Sequence, residues 1–116
     1  MKRVIGWPVS IFLLLLLTGC ERRKYTLTIF NARPDGKTGK EVHTISAAAD
    51  STAYARAATL YFLSLHAYKL MSDNAKPYVS KPVDFLLVNG TGKRVDSIIG
   101  TERAGMIKRK VDSVIN

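Results

Sequence analysis

One cysteine limits how this chain can be held together. Cys20 is the only thiol in 116 residues, so no intrachain disulfide can form and no paired-thiol redox chemistry is available. The imidazoles are His43 and His66 alone, too few for a Cys/His metal cluster. No cofactor is expected. The fold must rest on an apolar core, and the 47% hydrophobic content supplies material for one. Cys20 also divides two kinds of sequence, an unpatterned apolar stretch before it and alternating or helical patterns after it.

The stretch before it has the layout of an export signal. Met1, Lys2 and Arg3 give a positive start, Ile11 to Leu17 is unbroken and apolar, and Thr18 and Gly19 are small. A spanning helix needs about 20 apolar residues. Val4 to Gly19 offers 16 positions, with Pro8 and Ser10 among them and Glu21, Arg22, Arg23 and Lys24 directly after. The run is too short for a permanent span.

Leu17-Thr18-Gly19-Cys20 resembles the lipobox of bacterial lipoproteins: an apolar residue, a small one, Gly or Ala, then Cys. The resemblance covers the first 20 residues. It implies a diacylglyceryl group on the Cys20 thiol, cleavage after Gly19, and fatty acylation of the new terminus, with palmitate as a usual chain. A thioether to lipid requires a thiolate nucleophile. Each buried methylene contributes about 0.8 kcal/mol, so several chains hold where one does not. The domain plan expected is a signal peptide at 1–19, a lipidated tether at 20–24 and a single small domain at 25–116. Glu21 is not the Asp that favours inner-membrane retention in that family. The family's habits therefore point to the cell membrane or outer membrane, the outer one in a two-membrane envelope.

On that reading, cutting after Gly19 leaves 97 residues carrying 16 basic and 9 acidic side chains. Such a field favours anionic partners: phospholipid headgroups, lipopolysaccharide phosphates or an acidic protein surface. Nucleic acid is the other usual partner of a basic domain, and a lipid-tethered exported chain does not meet it. Arg22, Arg23 and Lys24 either lie on headgroups or solubilise the tether, and both readings stay open.

Beyond the tether, alternation takes over. Tyr25, Leu27 and Ile29 share one face of a strand with Thr26 and Thr28 on the other. Pro34, Gly36 and Gly39 mark a turn, and 41–46 reads as the return strand, with His43 half-exposed in it. Residues 50–74 read as a helix that Asp50 or Ser51 can cap and Asn74 and Pro77 end. Its Tyr54, Ala58, Tyr61, Leu65 and Tyr68 follow spacings of 4, 3, 4 and 3. The seam Tyr54/Tyr61/Tyr68 is read either as core or as a stacking surface for a glycan or protein partner. Thr52, Arg56, Thr59 and His66 fall opposite, and Leu60, Phe62, Leu63 and Leu70 widen the apolar zone beyond one stripe. A helix this apolar needs the sheet on one side, with room for a partner on another.

Val83 to Val88 reads as a central strand, Asn89-Gly90-Thr91-Gly92-Lys93 as a hairpin turn, and Val95 to Ile99 as its return strand. Thr101 can cap a last helix with Ala104, Ile107, Val111 and Val114 inward and Arg103, Lys108, Arg109 and Lys110 outward. The expected fold is α+β: an antiparallel four-stranded sheet of two hairpins with two helices packed on it, in the order ββαββα. Residues 82–115 also resemble in pattern the closing strand–hairpin–helix half of thioredoxin-like domains, including the proline before the first strand. The front half departs from that family, the paired cysteines are missing, and its redox activity is not carried over.

Three functional classes follow. A non-catalytic binding or assembly module on an envelope protein suits the small size, basic surface and over-apolar helix. The same class covers an immunity, exclusion or inhibitor lipoprotein that blocks a toxin or incoming element. An enzyme acting on envelope glycans or lipids would need paired carboxylates or a Ser/His/Asp set. Asp84 and Asp96 could meet across the second hairpin, but beside Lys93 and Arg94 they read more simply as surface pairs. A purely structural or lysis-type lipoprotein fits poorly with four prolines and a hairpin-rich pattern. The candidate partner-binding residues are Lys108, Arg109 and Lys110, with Tyr54, Tyr61 and Tyr68.

Overall fold

The computed structural model describes residues 22–115. The lipobox, with Gly19 and Cys20, lies outside them. Two strands, β1 (Arg23–Ala32) and β2 (Thr38–Ala47), form an antiparallel hairpin. The long helix α1 (Asp50–Lys69), a 3-10 turn (Lys76–Tyr78) and strand β3 (Lys81–Val88) follow. A short helix α2 (Val95–Ile99) and a helix α3 (Thr101–Ile115) complete the described residues. The sheet order is β2-β1-β3, antiparallel throughout. The chain after α1 thus crosses back to pair with the far edge of β1.

The register explains which face is covered. Leu27 stands opposite His43 on β2 and Leu87 on β3, and Ile29 opposite Glu41 and Phe85. Alternation therefore puts Tyr25, Leu27, Ile29, Ile45, Ala47, Phe85 and Leu87 on one face, and all seven are buried. The helices cover that face. Thr26, Thr28, Thr44 and Val42 lie on the other. Ala53, Ala57 and Ala58 are fully buried on α1, which lets its backbone approach the sheet closely, and the buried Ala104 lies on α3, which packs against α1.

The hairpin turn is built as its residues demand. Arg33 N–H donates to the Lys37 carbonyl at 2.8 Å and Gly36 N–H to Arg33 at 3.0 Å. Gly36 takes φ 85°, which a side chain would strain. The cap of α1 departs from expectation. Ala49 occupies the cap position without a side-chain bond, and Asp50 is the first helical residue. Its carboxylate accepts from Tyr25 instead, at 2.6 Å, while its charge still favours the helix N-terminus. The helix also ends at Lys69, short of Asn74.

The expected four-stranded, two-helix ββαββα plan is wrong. Among the described residues the sheet has three strands, and residues 95–99 are helical. The turn at 89–93 does form: Asn89 Oδ1 accepts from Thr91 N–H at 3.0 Å and Lys93 N–H at 2.9 Å. The return pairing then stops at a single bridge, Val88 with Arg94. Continued alternation would have put Ser97 inward between Val95 and Ile99. As a helix, the segment stacks Val95 and Ile99 at i and i+4 toward the core, with Val95 fully buried. Asp96 sits in the first helical turn, where a negative charge is favourable, and pairs with Arg94 at 2.8 Å. Gly100, at φ 100°, separates α2 from α3. The strand–hairpin–helix pattern at 82–115 thereby loses its return strand.

Candidate functional site

The tyrosine seam divides. Tyr54 and Tyr61 are buried, and the Phe85 ring of β3 lies 5.5 Å from the first and 5.1 Å from the second, centroid to centroid. Burial raises the Tyr54 hydroxyl to about 12, with the nearby Asp96 and Asp84 charges adding to it, and Tyr61 moves the same way by burial. These two rings pack the core and are closed to a ligand. Tyr68, two turns further along α1 than Tyr61, is half-buried with the Lys76 ammonium 5.8 Å from its ring centroid.

The basic run of α3 divides as well. Consecutive helical residues point about 100° apart, so Lys108, Arg109 and Lys110 cannot share one surface. Lys108 reaches toward the sheet, its Nζ 5.8 Å from the Phe85 ring centroid. Lys110 faces the other way, into a groove between α3 and the first half of α1. The groove encloses about 560 Å³. Ala55, Ile107, Val111 and Val114 give it an apolar lining, and Arg103 and Lys110, seven residues apart on one side of α3, bring positive charge to it. Thr52 and Thr59 of α1 add hydroxyls, although the Thr59 hydroxyl already donates to the Ala55 carbonyl at 2.8 Å.

Sequence reading placed Thr52 and Thr59 on a bare polar face and Val114 inward. In the fold Val114 is 79% exposed and helps form the groove. Arg103, read from sequence as part of the basic outer face, was not among the candidate partner-binding residues, although its heptad spacing from Lys110 was visible. A second hollow of about 490 Å³ lies on the other flank of α1, against Ile45 and Ser46 of β2, and shares Thr52, Ala55 and Thr59 with the first.

The two carboxylates weighed for catalysis are not set across a hairpin. Asp96 lies on α2, its carboxyl held below the usual range by the Arg94 guanidinium that donates to both oxygens, at 3.1 and 2.8 Å. Asp84 is on β3 and accepts from the Phe85 N–H at 2.8 Å. His43 lies 3.5 Å from Glu41 on β2. Among the described residues no three His, Cys, Asp or Glu side chains gather as a metal ion would require. None of the described helices is long and apolar enough to cross a membrane.

Known proteins add nothing to this geometry: no family model, curated protein or solved structure matches the chain.

Proposed function

We propose that this chain is a lipid-anchored bacterial envelope protein, tethered through Cys20, whose small basic domain is a non-catalytic binding or assembly module. The anchor rests on the lipobox-like Leu17-Thr18-Gly19-Cys20 behind a positively charged, apolar leader. The binding reading rests on the groove between α1 and α3, apolar within and carrying Arg103 and Lys110. Those walls suit an acidic amphipathic helix of an envelope protein. Its apolar stripe would cover Ile107, Val111 and Val114, and its carboxylates would meet the two cations.

The test recovers partners from detergent-solubilised envelopes with the lipidated protein, using Cys20→Ser as the unanchored control. One stoichiometric partner is expected, and Arg103→Glu with Lys110→Glu should lose it. Recovery of the same partner by the double reversal at low salt would remove the groove as the binding surface. The anchor has its own readout: Cys20→Ser should abolish fatty-acid labelling and leave the precursor uncleaved, and continued labelling would overturn it.

A further inference from the structure

The end of the domain nearest Cys20 gathers cations from three separated stretches of sequence. Arg23 and Lys24, at the start of β1, and Arg22 just before it stand at this end. Arg22 donates to the Ser46 carbonyl at 3.5 Å, and the Arg56 guanidinium, from the second turn of α1, donates to the same oxygen. The turn at 89–93 sits beside them: a Cβ on Gly90 would be 3.8 Å from the Lys24 carbonyl. That brings the exposed Lys93 to the same end. Arg23 is paired with Asp50 and Arg94 with Asp96. Arg22 and Arg56 instead spend one bond each on a neutral carbonyl. A guanidinium has five N–H donors, so most of theirs are left over. Two cations held on one oxygen repel each other, and an anion between them would relieve that repulsion.

We propose that this end of the domain is a seat for anionic lipid headgroups, with phosphate oxygens taken by Arg22 and Arg56 and further charge met by Lys24 and Lys93. The seat rests on the Cys20 anchor proposed above. The length of the intervening chain selects the membrane over other anions. Arg22 lies two positions after Cys20, with Glu21 alone between them, a reach of about 7 Å when fully extended. That is within the Debye length of about 8 Å at physiological salt. An anchored Cys20 therefore holds these cations where headgroup phosphates act on them. Seated this way, the domain stands with its strands rising from the membrane and the turn at 33–37 at the far end.

The experiment uses the lipidated chain reconstituted in vesicles of phosphatidylcholine, with or without phosphatidylglycerol. Lipid caps Cys20, so a single introduced thiol carries a fluorophore, at Thr91→Cys in one protein and Asp35→Cys in another. The quencher is a lipid spin-labelled at its headgroup. In anionic vesicles the label at 91 should be quenched and the label at 35 should not. High salt, or Arg22→Glu with Arg56→Glu and Lys93→Glu, should remove most of the quenching at 91 while the chain stays in the vesicles. Because the triple reversal could disturb the hairpin, the Gln versions of the same three residues are run beside it and should show a smaller loss in the same direction. Equal quenching at 91 in neutral and anionic vesicles, or quenching that survives both triple variants, overturns the seat. An unmodified Cys20, read by mass, overturns the anchor and the seat together. A lipidated chain unquenched at 91 overturns the seat alone.

Discussion

Tyr25 and Asp50 are joined by a 2.6 Å hydrogen bond that ties the first buried ring of the sheet to the first residue of the long helix. The ring is closed off while its hydroxyl meets a carboxylate still 22% exposed. Burial raises the Tyr25 hydroxyl above its ordinary value, and the bond to Asp50 adds to that. This bond fixes the start of α1 to β1, although it satisfies none of the helix's first backbone N–H groups. Bonds to charged groups contribute about 1.5–3 kcal/mol, and partial exposure puts this one near the lower end. Tyr25→Phe and Asp50→Asn should each destabilise by about 1–2 kcal/mol in urea unfolding. A double-mutant cycle should show that the two losses are not additive. Additive losses would mean the bond contributes nothing.

The two halves of the tyrosine seam should respond differently to truncation. Tyr61→Ala removes a ring packed on Phe62 and Phe85, at 5.1 Å from each, and should cost about 3–5 kcal/mol, as aromatic truncations in cores do. Tyr68→Ala should cost much less, because Tyr68 is only partly buried and lies outside the core cluster. Arg56→Ala and Thr59→Ala should stay within about 0.5 kcal/mol. Thermal or urea midpoints check all four. A small loss at Tyr61 would contradict the packing described.

Gly100 holds φ 100° and ψ 137° between α2 and α3, a region almost closed to residues with a Cβ. No atom lies within 4 Å of where a Cβ would stand, so strain alone decides the outcome. Gly100→Ala should destabilise by about 1–3 kcal/mol. Gly90→Ala, at ordinary φ with its nearest neighbour at 3.8 Å, should be close to neutral. Equal midpoints for the two variants would show that the α2–α3 joint relaxes freely.

Stability should fall at both ends of the pH scale for reasons traceable to single groups. Tyr54 holds its proton to about 12 in the fold and releases it near 10 when unfolded. Its contribution is complete below pH 10 and disappears as pH rises toward 12. Tyr54→Phe should flatten that alkaline decline. Asp96 is shifted the other way by Arg94, so its contribution is complete above the ordinary carboxylate range and lost as pH falls below it. Asp96→Asn should flatten the acid decline. Urea midpoints across both windows give the slopes, and an unchanged slope in either variant removes that assignment.

Much of this arrangement was readable from residue order. The alternation of Tyr25, Leu27 and Ile29 against Thr26 and Thr28 leaves one buried face for β1, because a strand turns its side chains over every second residue. The turn at 33–37 and the long helix follow from glycine and proline placement and from an alanine-rich run. The lipobox-like residues needed no structure to be seen. Residues 95–99 were not readable in the same way. Val95, Ile98 and Ile99 are β-branched and follow a strong turn, so local preference favours a strand. Tertiary packing overrode it: a helix lets Val95 and Ile99 reach the core together, places Asp96 at a helix start, and keeps Ser97 out of the interior. The split of Lys108 and Lys110 was decided by where α3 lands, with Phe85 on one side and Ala55 on the other. The meeting of Arg22 and Arg56 at the Ser46 carbonyl depends on a hairpin and a helix start 34 residues apart along the chain. Periodicity fixes which face of one element is apolar, because it is a property of neighbours in sequence. Which side chains share a groove or an anion is set by packing between elements, and no local pattern encodes it.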